Sequence, residues 1–230
     1  MRWLAVLLVA CVAGCGVNPI PEPPAAPELG DVIADICRVC DAWTVDLAGG
    51  PGSATNADEV WAVNLDKAAP PAIAEVGADG SFALRLEASL GDEVRVQARR
   101  GDQRSAPADL VVAQGVLKGA PRPLSDCFDV APELELPDTA VGEVSTGVLR
   151  LEHDCAEPLV IDAIALRAPA VDVGAGEVAA PVVLAPGERR DVPVELRSSA
   201  PGLHEEVLLI EVSSPAATRR AVTLFGRGVP

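Results

Sequence analysis

Hydrophobic and polar residues alternate along most of this chain, in short runs that turn residues interrupt about every eight to twelve positions. Alternation with a period of two is typical of strands that bury one face, and regularly spaced turns are typical of an all-β sandwich. No segment of useful length has a helical period. The alternating sets of the first half are Trp43, Val45 and Leu47; Trp61, Val63 and Leu65; Phe82, Leu84 and Leu86; and Val94, Val96 and Ala98.

Glycine and aspartate separate these runs. The Asp79-Gly80 pair predicts a hairpin, and Gly91-Asp92 predicts a further turn. Asp79 could also suggest calcium, but one carboxylate is too few for an ion that takes six to eight oxygens. We therefore interpret Asp79 as turn chemistry, and Leu110 to Val112 as the run that closes the unit.

A second set of alternating runs follows a segment that contains Gly115, Gly119, Pro121 and Pro123. The runs are Leu134 and Leu136; Val148 to Leu151; Leu159, Ile161 and Ile164; Val192, Val194 and Leu196; Val207 to Ile210; and Val222 with Leu224. We predict two tandem β-sandwiches of different types, over 36–114 and 127–230, joined by a linker over 115–126.

The N-terminus has a different pattern. Met1-Arg2 precedes an apolar run from Trp3 to Ala13, which is too short to cross a bilayer, since that takes about 20 residues. The pattern is typical of an export signal. Val12-Ala13-Gly14-Cys15 resembles a bacterial lipobox, which implies that 1–14 is removed and Cys15 acylated. An ordinary secretory peptide is the alternative, and Leu8-Val9-Ala10-Cys11 fits the lipobox only loosely.

A proline-rich segment, GVNPIPEPPAAPELG, follows Cys15 and predicts an extended tether over 15–35. In enteric lipoproteins an Asp after the acylated Cys holds the protein at the inner membrane. By that resemblance, Gly16 permits sorting to the outer membrane. We therefore expect a lipid-anchored protein of the bacterial cell envelope.

Two stretches resemble known Ig-like domains. ADGSFALRL and GDEVRVQARRGDQRS, within 75–113, are similar to the late strands of bacterial Ig-like modules. GEVSTGVLRL, CAEPLVI, LAPGE, PGLHEEVLLI and VTLFGRG, within 131–228, resemble the Ig-like domain of hydin, abnormal-spindle and major sperm proteins. That family has Asn-x-Gly where this chain has His153-Asp154-Cys155. The resemblance implies protein-binding or spacer modules without catalysis.

Four cysteines remain beyond the signal: Cys37, Cys40, Cys127 and Cys155. In an exported chain they suggest disulfides, with three possible pairings. Cys127 lies before the first strand of the second sandwich and Cys155 in a later turn at the same end, so these two can meet. An eight-residue strand spans about 26 Å and bridged Cα atoms lie within about 7 Å, which disfavours pairing across domains that lie end to end. We predict Cys37–Cys40 and Cys127–Cys155.

No residue pattern supports a catalytic or metal site. Cys37-Arg38-Val39-Cys40 lacks the helix start of a redox motif and the second close pair of a zinc site. His153 and His204 are expected at the surface, with no Gly-x-Ser-x-Gly motif to accompany them. The Asp92-Glu93 and Glu205-Glu206 pairs are adjacent residues, which on a strand point to opposite faces. We expect no cofactor and no enzymatic activity.

Composition limits the partners. The chain has 18 basic and 34 acidic side chains, a net charge of −16, and removal of Arg2 with the signal makes the balance more negative. This argues against nucleic acid and against electrostatic docking on anionic lipid, so the lipid must hold the chain to the membrane. We predict a monomeric, non-catalytic envelope lipoprotein that binds or spaces another envelope protein. The alternative is an accessory subunit, chaperone-like or ligand-binding, of an export, adhesion or polysaccharide system.

Overall fold

The computed structural model describes residues 35–36, 44–113, 116–176 and 181–230, and all regular structure in these ranges is β-strand. This confirms the all-β class. The strands form two sandwiches of two sheets each. In the first sandwich, the first outer sheet has the order β1 (Asp35–Ile36), β2 (Thr44–Gly49) and β5 (Phe82–Glu87).

The first inner sheet covers the other side of this sandwich. Its order is β4 (Ala72–Glu75), β3 (Glu59–Asn64), β6 (Glu93–Arg100), β8 (Ala108–Ala113) and β9 (Val116–Gly119), and β7 (Gln103–Arg104) pairs with the end of β6. Side chains from both sheets form one apolar core, which includes Val45, Leu47, Val60, Ala62, Phe82, Leu84, Leu86, Val94, Val96 and Val112.

The second sandwich has the same two-layer plan, with more and longer strands. Its outer sheet has the order β10 (Phe128–Val130), β13 (Val144–His153), β17 (Arg189–Arg197) and β15 (Val173–Ala175). Its inner sheet has the order β11 (Glu133–Glu135), β19 (Thr218–Val229), β18 (Gly202–Ser214), β14 (Leu159–Leu166) and β16 (Val182–Leu184), and β12 (Thr139–Ala140) also pairs with β19. Only β11 and β12 run parallel to their partner strand among the described pairs.

The two inner sheets pack face to face, so the molecule has four β-layers in the order outer, inner, inner, outer. Val60 and Ala62 of β3 face the core of their own sandwich, whereas Trp61 and Val63 belong to an apolar cluster with Val207 of the other sandwich. A strand that is buried on both faces reads as a nearly continuous apolar run. This explains the runs VWAV in β3 and VLLI in β18.

The structure corrects several details of the sequence interpretation. The alternating set Trp61, Val63 and Leu65 lies between the sandwiches rather than in the first core, because both faces of β3 are buried. The domains therefore pack side by side, not end to end. The Asp79-Gly80 turn connects β4 of the inner sheet to β5 of the outer sheet, so it does not close a hairpin between paired strands.

Another correction concerns the linker predicted over 115–126. Strand β9 begins within this segment and pairs with β8 along Leu110 to Ala113, so the first inner sheet continues to Gly119. The strand was hidden from the pattern because only Val116, Leu117 and Lys118 separate Gly115 from Gly119.

The Cys127–Cys155 disulfide is present, with the two Cα atoms 4.7 Å apart. Cys127 immediately precedes β10, and β10 pairs antiparallel with the last residues of β13, which places Phe128 opposite His153. The backbone N–H of Asp154 also donates to the Cys127 carbonyl oxygen at 2.7 Å. The bridge thus closes one end of the second outer sheet.

Removal of this bridge tests its contribution to stability. We expect Cys127→Ala with Cys155→Ala to lower the free energy of unfolding by about 2–4 kcal/mol, because the unfolded chain regains the freedom of the closed loop. Urea unfolding of the oxidised wild type and the double variant measures the difference. A loss below about 0.5 kcal/mol would show that strand pairing alone holds this end.

Candidate interaction site between the two sandwiches

An apolar cluster occupies the centre of the interface between the inner sheets. Trp61, Val63 and Leu65 from the first sandwich pack against Val207 and Ala221 from the second, and all five are buried. The two sheets therefore share a small third core. Burial of this apolar surface stabilises the docked arrangement of the two sandwiches.

Arg95 is the most deeply buried charge of this interface, with 1% of its surface exposed. It projects from β6 and forms a two-point ion pair with Asp109 on the neighbouring strand, with N–O distances of 2.7 and 3.0 Å. Its remaining N–H groups reach the second sandwich. They donate to Thr223 Oγ1 at 2.9 Å, to the Pro132 carbonyl at 3.0 Å and to the Ala221 carbonyl. One guanidinium thus joins both sandwiches.

Two further arginines of the first sandwich share one carboxylate of the second. Arg99 Nη2 lies 2.6 Å from Glu205 Oε1, and Arg104 Nη2 lies 3.1 Å from Glu205 Oε2. The Arg99 guanidinium also stacks over Trp61 at 4.6 Å, and that of Arg104 over Phe225 at 4.0 Å from the ring centroid. Planar arginine groups combine such pairing and stacking better than lysine does.

Ion pairs and carbonyl contacts surround this centre. Arg219 of the second sandwich donates to Asp66 Oδ1 of the first at 2.8 Å. Arg167 donates to the carbonyl oxygens of Lys67 and Ala69, at 2.8 and 2.9 Å. Gln97 of the first sandwich donates to Glu133 of the second at 2.7 Å. These contacts come from several strands and are spread over the interface. They therefore fix one orientation of the two sandwiches relative to each other.

The acids near Arg95 have opposite pKa shifts. Burial raises the pKa of Asp109, but hydrogen bonds and charges from Arg95 and Arg122 outweigh burial and hold that pKa below its ordinary value. For Glu93 burial dominates, so its pKa is raised despite the contact with Arg122. Burial and the neighbouring Arg104 charge lower the pKa of Arg99, although Glu205 opposes them.

A cleft of about 250 Å³ opens at one edge of the interface, beside the hairpin that joins β6 to β7. The first sandwich contributes Glu59, Arg99 and Arg104 to its walls. The second contributes, among others, Glu135, Asp138, Leu203, Phe225 and Arg227. Arg227 pairs across the cleft with Asp102 of the hairpin. The cleft therefore exists only while the sandwiches are docked.

The predicted site residues fall in two groups. Cys15, Cys37 and Cys40 lie outside the described residues, so the lipidation site and the Cys37–Cys40 bridge stay predictions. Cys127 and Cys155 form the predicted bridge, at the end of the second outer sheet. They do not line the cleft.

The structure corrects the surface position expected for His153. The residue is fully buried as the last residue of β13, because this strand continues two residues beyond Leu151, where the alternating run ends. Its Nε2 lies 2.9 Å from the Glu157 carbonyl, and its Nδ1 has no hydrogen-bond partner in the described part of the chain.

His204 lies at the third position of β18, with 11% of its side chain exposed. Its Nδ1 lies 3.2 Å from Asp172 Oδ2, and its Nε2 lies 2.8 Å from the Ala200 carbonyl. The Ser198 hydroxyl donates to that same carbonyl at 3.2 Å. Nucleophilic catalysis needs a serine hydrogen-bonded to its base. Here the Ala200 carbonyl oxygen contacts both the Ser198 hydroxyl and His204 Nε2. These contacts therefore connect both side chains to the backbone of one loop.

The two acids of each adjacent pair bond different partners. Glu205 bonds Arg99 and Arg104, whereas Glu206 bonds Arg167. Asp92 accepts from the Asn64 amide at 2.8 Å within a turn, while Glu93 contacts Arg122. Within residues 44–113, 116–176 and 181–230, no three His, Cys, Asp or Glu residues are grouped to hold a metal ion. None of the described residues forms a helix long and apolar enough to cross a membrane.

Sequence reasoning missed the arginines of the interface. Arg95, Gln97 and Arg99 alternate with Val94, Val96 and Ala98, so the pattern reads as a solvent-facing side. A usable signal was present in the partner strand, since β18 carries Glu205 and Glu211 around an apolar centre. The arginine-bearing face of β6 and Glu205 on the facing strand β18 are complementary in charge.

A matched pair of arginines tests the interface. Arg95→Met should lower the free energy of unfolding by about 3–5 kcal/mol, because Asp109 loses its two-point partner and keeps only Arg122, while three acceptors of the second sandwich lose their donor. Arg85 makes the same two-point contact with Asp46, at 2.6 and 2.9 Å, but on the exposed surface. Arg85→Met should therefore leave stability nearly unchanged in the same urea titration. Equal losses in the two variants would contradict a buried, shared role for Arg95.

Acidification provides a second test. Since the folded pKa of Asp109 lies below the unfolded value of about 3.9, its contribution is complete above that pH and is lost as pH falls through the folded pKa. We expect unfolding free energy to fall less steeply below about pH 4 in Asp109→Asn than in wild type. Asp162→Asn, at an exposed carboxylate, serves as the control and should keep the wild-type slope. Identical slopes in all three proteins would show that Asp109 does not set the acid response.

Comparison with known proteins gives distant structural likenesses. No family model matches the sequence, and no curated protein matches it. Among solved structures, the ASH/PapD-like domain 7 of human CEP192 is 14% identical, covers 52% of this chain and 96% of its own, and has a TM-score of 0.41. A Porphyromonas gingivalis W83 protein of unknown function is 12% identical, with coverage of 90% and 100% and a TM-score of 0.36. The Vibrio cholerae protease VesB is 10% identical, with coverage of 74% and 62% and a TM-score of 0.38.

Proposed function

We propose that this chain is a non-catalytic lipoprotein of the bacterial cell envelope, which displays two docked Ig-like sandwiches as one structural or protein-binding module. The observation that carries the proposal is the interface itself. The single side chain of Arg95 bonds both Asp109 in its own sandwich and Thr223 in the other. A molecule held this way presents its surfaces at constant distance and angle, which suits a scaffold or a preorganised binding surface.

The N-terminal sequence supports the anchored part of the proposal. The apolar run from Trp3 to Ala13 and the lipobox-like Val12-Ala13-Gly14-Cys15 are followed by prolines at positions 19 to 27. In an extended proline-rich conformation, at about 3.1 Å per residue, such a tether holds the first sandwich tens of ångströms from the lipid. The acidic balance, with a net charge of −16, leaves the acyl chains as the attachment to an anionic membrane.

Two features support a non-catalytic role. The buried arginines and glutamates of the interface are paired with one another, as Arg99 and Glu205 are, rather than gathered in a pocket with a nucleophile. His204 shares the Ala200 carbonyl with the Ser198 hydroxyl, and its Nε2 contacts that carbonyl. These side chains therefore stabilise the fold.

Palmitate incorporation tests the anchor. In a bacterium that expresses the full chain, we expect a labelled palmitate to enter the wild type and Cys11→Ala equally, and not to enter Cys15→Ala. Cys11 is the matched control, since it lies four residues earlier in the same signal. Wild-type protein should fractionate with membranes and Cys15→Ala should not. Labelling of Cys15→Ala, or no labelling of the wild type, would contradict a lipid anchor at Cys15.

A further inference from the structure

We infer that the free edge of strand β5 binds an extended segment of a partner protein, which adds to the first outer sheet as an antiparallel strand. This inference rests on the proposed protein-binding function and names the surface and the kind of partner. The partner segment alternates apolar with polar residues, is neutral or basic, and carries a lysine or arginine opposite Glu87.

Strand β5 presents backbone groups that no other described strand pairs with, since its ladder partner is β2 on one side only. The Ser81 carbonyl accepts from the Gly77 N–H at 2.7 Å, and the Glu87 carbonyl accepts from a side-chain amide at the end of β3 at 2.9 Å. Neither donor belongs to β2, so both carbonyls point to the free side. Alternate residues of an antiparallel strand point their N–H and C=O groups the same way. The backbone groups of Ala83 and Arg85 therefore face this side, and no described residue bonds them.

The other margins of the sheets are protected against such pairing. Folded proteins protect edge strands by keeping them short and by placing prolines beside them. Strands β4, β9, β10, β11 and β16 have three or four residues each, and a proline lies within two positions of every one. Strands β1 and β15 have two and three residues. Strand β5 has six residues in one unbroken register with β2, and no proline lies between Pro71 and Pro107. It is therefore an edge that can template a further strand.

The inward side of this edge is apolar. Phe82, Leu84 and Leu86 of β5 are buried in the core of the first sandwich. Strand β4 lies beside β5 in the other sheet, and its Ala72 and Ala74 are half-buried against the same core. Side chains of an added strand that point the same way as Leu84 continue this apolar surface. The partner segment therefore has apolar residues at every second position.

The outward side of the edge decides the charge of the partner. Arg85 is already paired with Asp46, whereas the exposed Glu87 carboxylate has no partner among the described residues. Opposite charges at directly opposed positions stabilise a strand pair, which favours a lysine or arginine opposite Glu87. A second copy of this chain brings a net charge of −16, so its approach is opposed by repulsion. The edge therefore suits a neutral or basic segment of a different protein.

The test uses a fluorescein-labelled peptide, Gly-Lys-Val-Thr-Val-Thr-Val-Gly, whose lysine is placed opposite Glu87 and whose threonines are placed opposite Arg85 and Ala83. Two versions differ only in the position of two backbone N-methyl groups. Methyl groups on the first two valines point away from β5, whereas methyl groups on the threonines replace the N–H groups that pair with it. The protein is the chain from residue 16, which contains every described strand. In fluorescence anisotropy we expect the threonine-methylated peptide to bind at least about tenfold more weakly, because two backbone hydrogen bonds are lost. Equal affinity of the two versions, or no binding of the valine-methylated one, overturns the inference.

A charge change in the protein tests the position of the lysine. Glu87→Lys should weaken binding of the valine-methylated peptide by about fivefold, because it places like charges at opposed positions. Glu143→Lys is the matched control, since it makes the same change at an exposed turn of the second sandwich, and it should keep the wild-type affinity. Equal weakening in both variants overturns the assignment in favour of general attraction to an acidic protein.

Backbone amide exchange locates the bound strand. The N–H groups of Ala83 and Arg85 should exchange rapidly in the free chain and slowly with the peptide bound, whereas the N–H of Leu84, which points to β2, should exchange slowly in both. Binding without protection of Ala83 and Arg85 overturns the edge as the site. Protection without peptide, together with a dimer in sedimentation analysis, assigns the edge to a second copy and overturns a different protein as the partner. Palmitate labelling at Cys15 is measured separately, so failure of the edge does not alter the test of the anchored module.

Discussion

A charged guanidinium buried between two sheets must have partners on every side, and Arg95 takes them from both sandwiches. Its charge is balanced within the first sandwich by Asp109, while Thr223 and two carbonyl groups of the second complete its hydrogen bonds. If the sandwiches separated, Arg95 would lose the second set. Arg95 can therefore be buried with all its partners only while the sandwiches are docked. Its hydrogen bonds in turn stabilise the docked state.

The same constraint explains the composition of the inner strands. An ordinary sandwich sheet turns one face to solvent and alternates apolar with polar residues, as β5 does with its buried Phe82, Leu84 and Leu86. The inner strands have no solvent face over much of their length. Their second face therefore carries either apolar residues, such as Trp61, or polar residues with a specific partner, such as Gln97 with Glu133.

The sequence predicted each sandwich well because each core depends on local alternation. The turn at Gly91-Asp92 and the Cys127–Cys155 bridge follow from residues that lie close in the chain or at one end of a strand. The docking of the sandwiches could not be predicted this way. It depends on contacts such as Arg99 with Glu205, between residues more than a hundred positions apart, whose polar character alone indicates a surface. The cleft was missed for the same reason, since it forms only from both sandwiches.

The central claim is that the two sandwiches behave as one body, and differential scanning calorimetry of the chain from residue 16 tests it most directly. If the shared core and the Arg95 contacts couple the sandwiches, they unfold in one transition, with equal calorimetric and van't Hoff enthalpies. Tryptophan fluorescence, from Trp43 and Trp61, and backbone circular dichroism should then report the same midpoint. Two separate transitions, with the second sandwich unfolding independently of the first, would contradict the account.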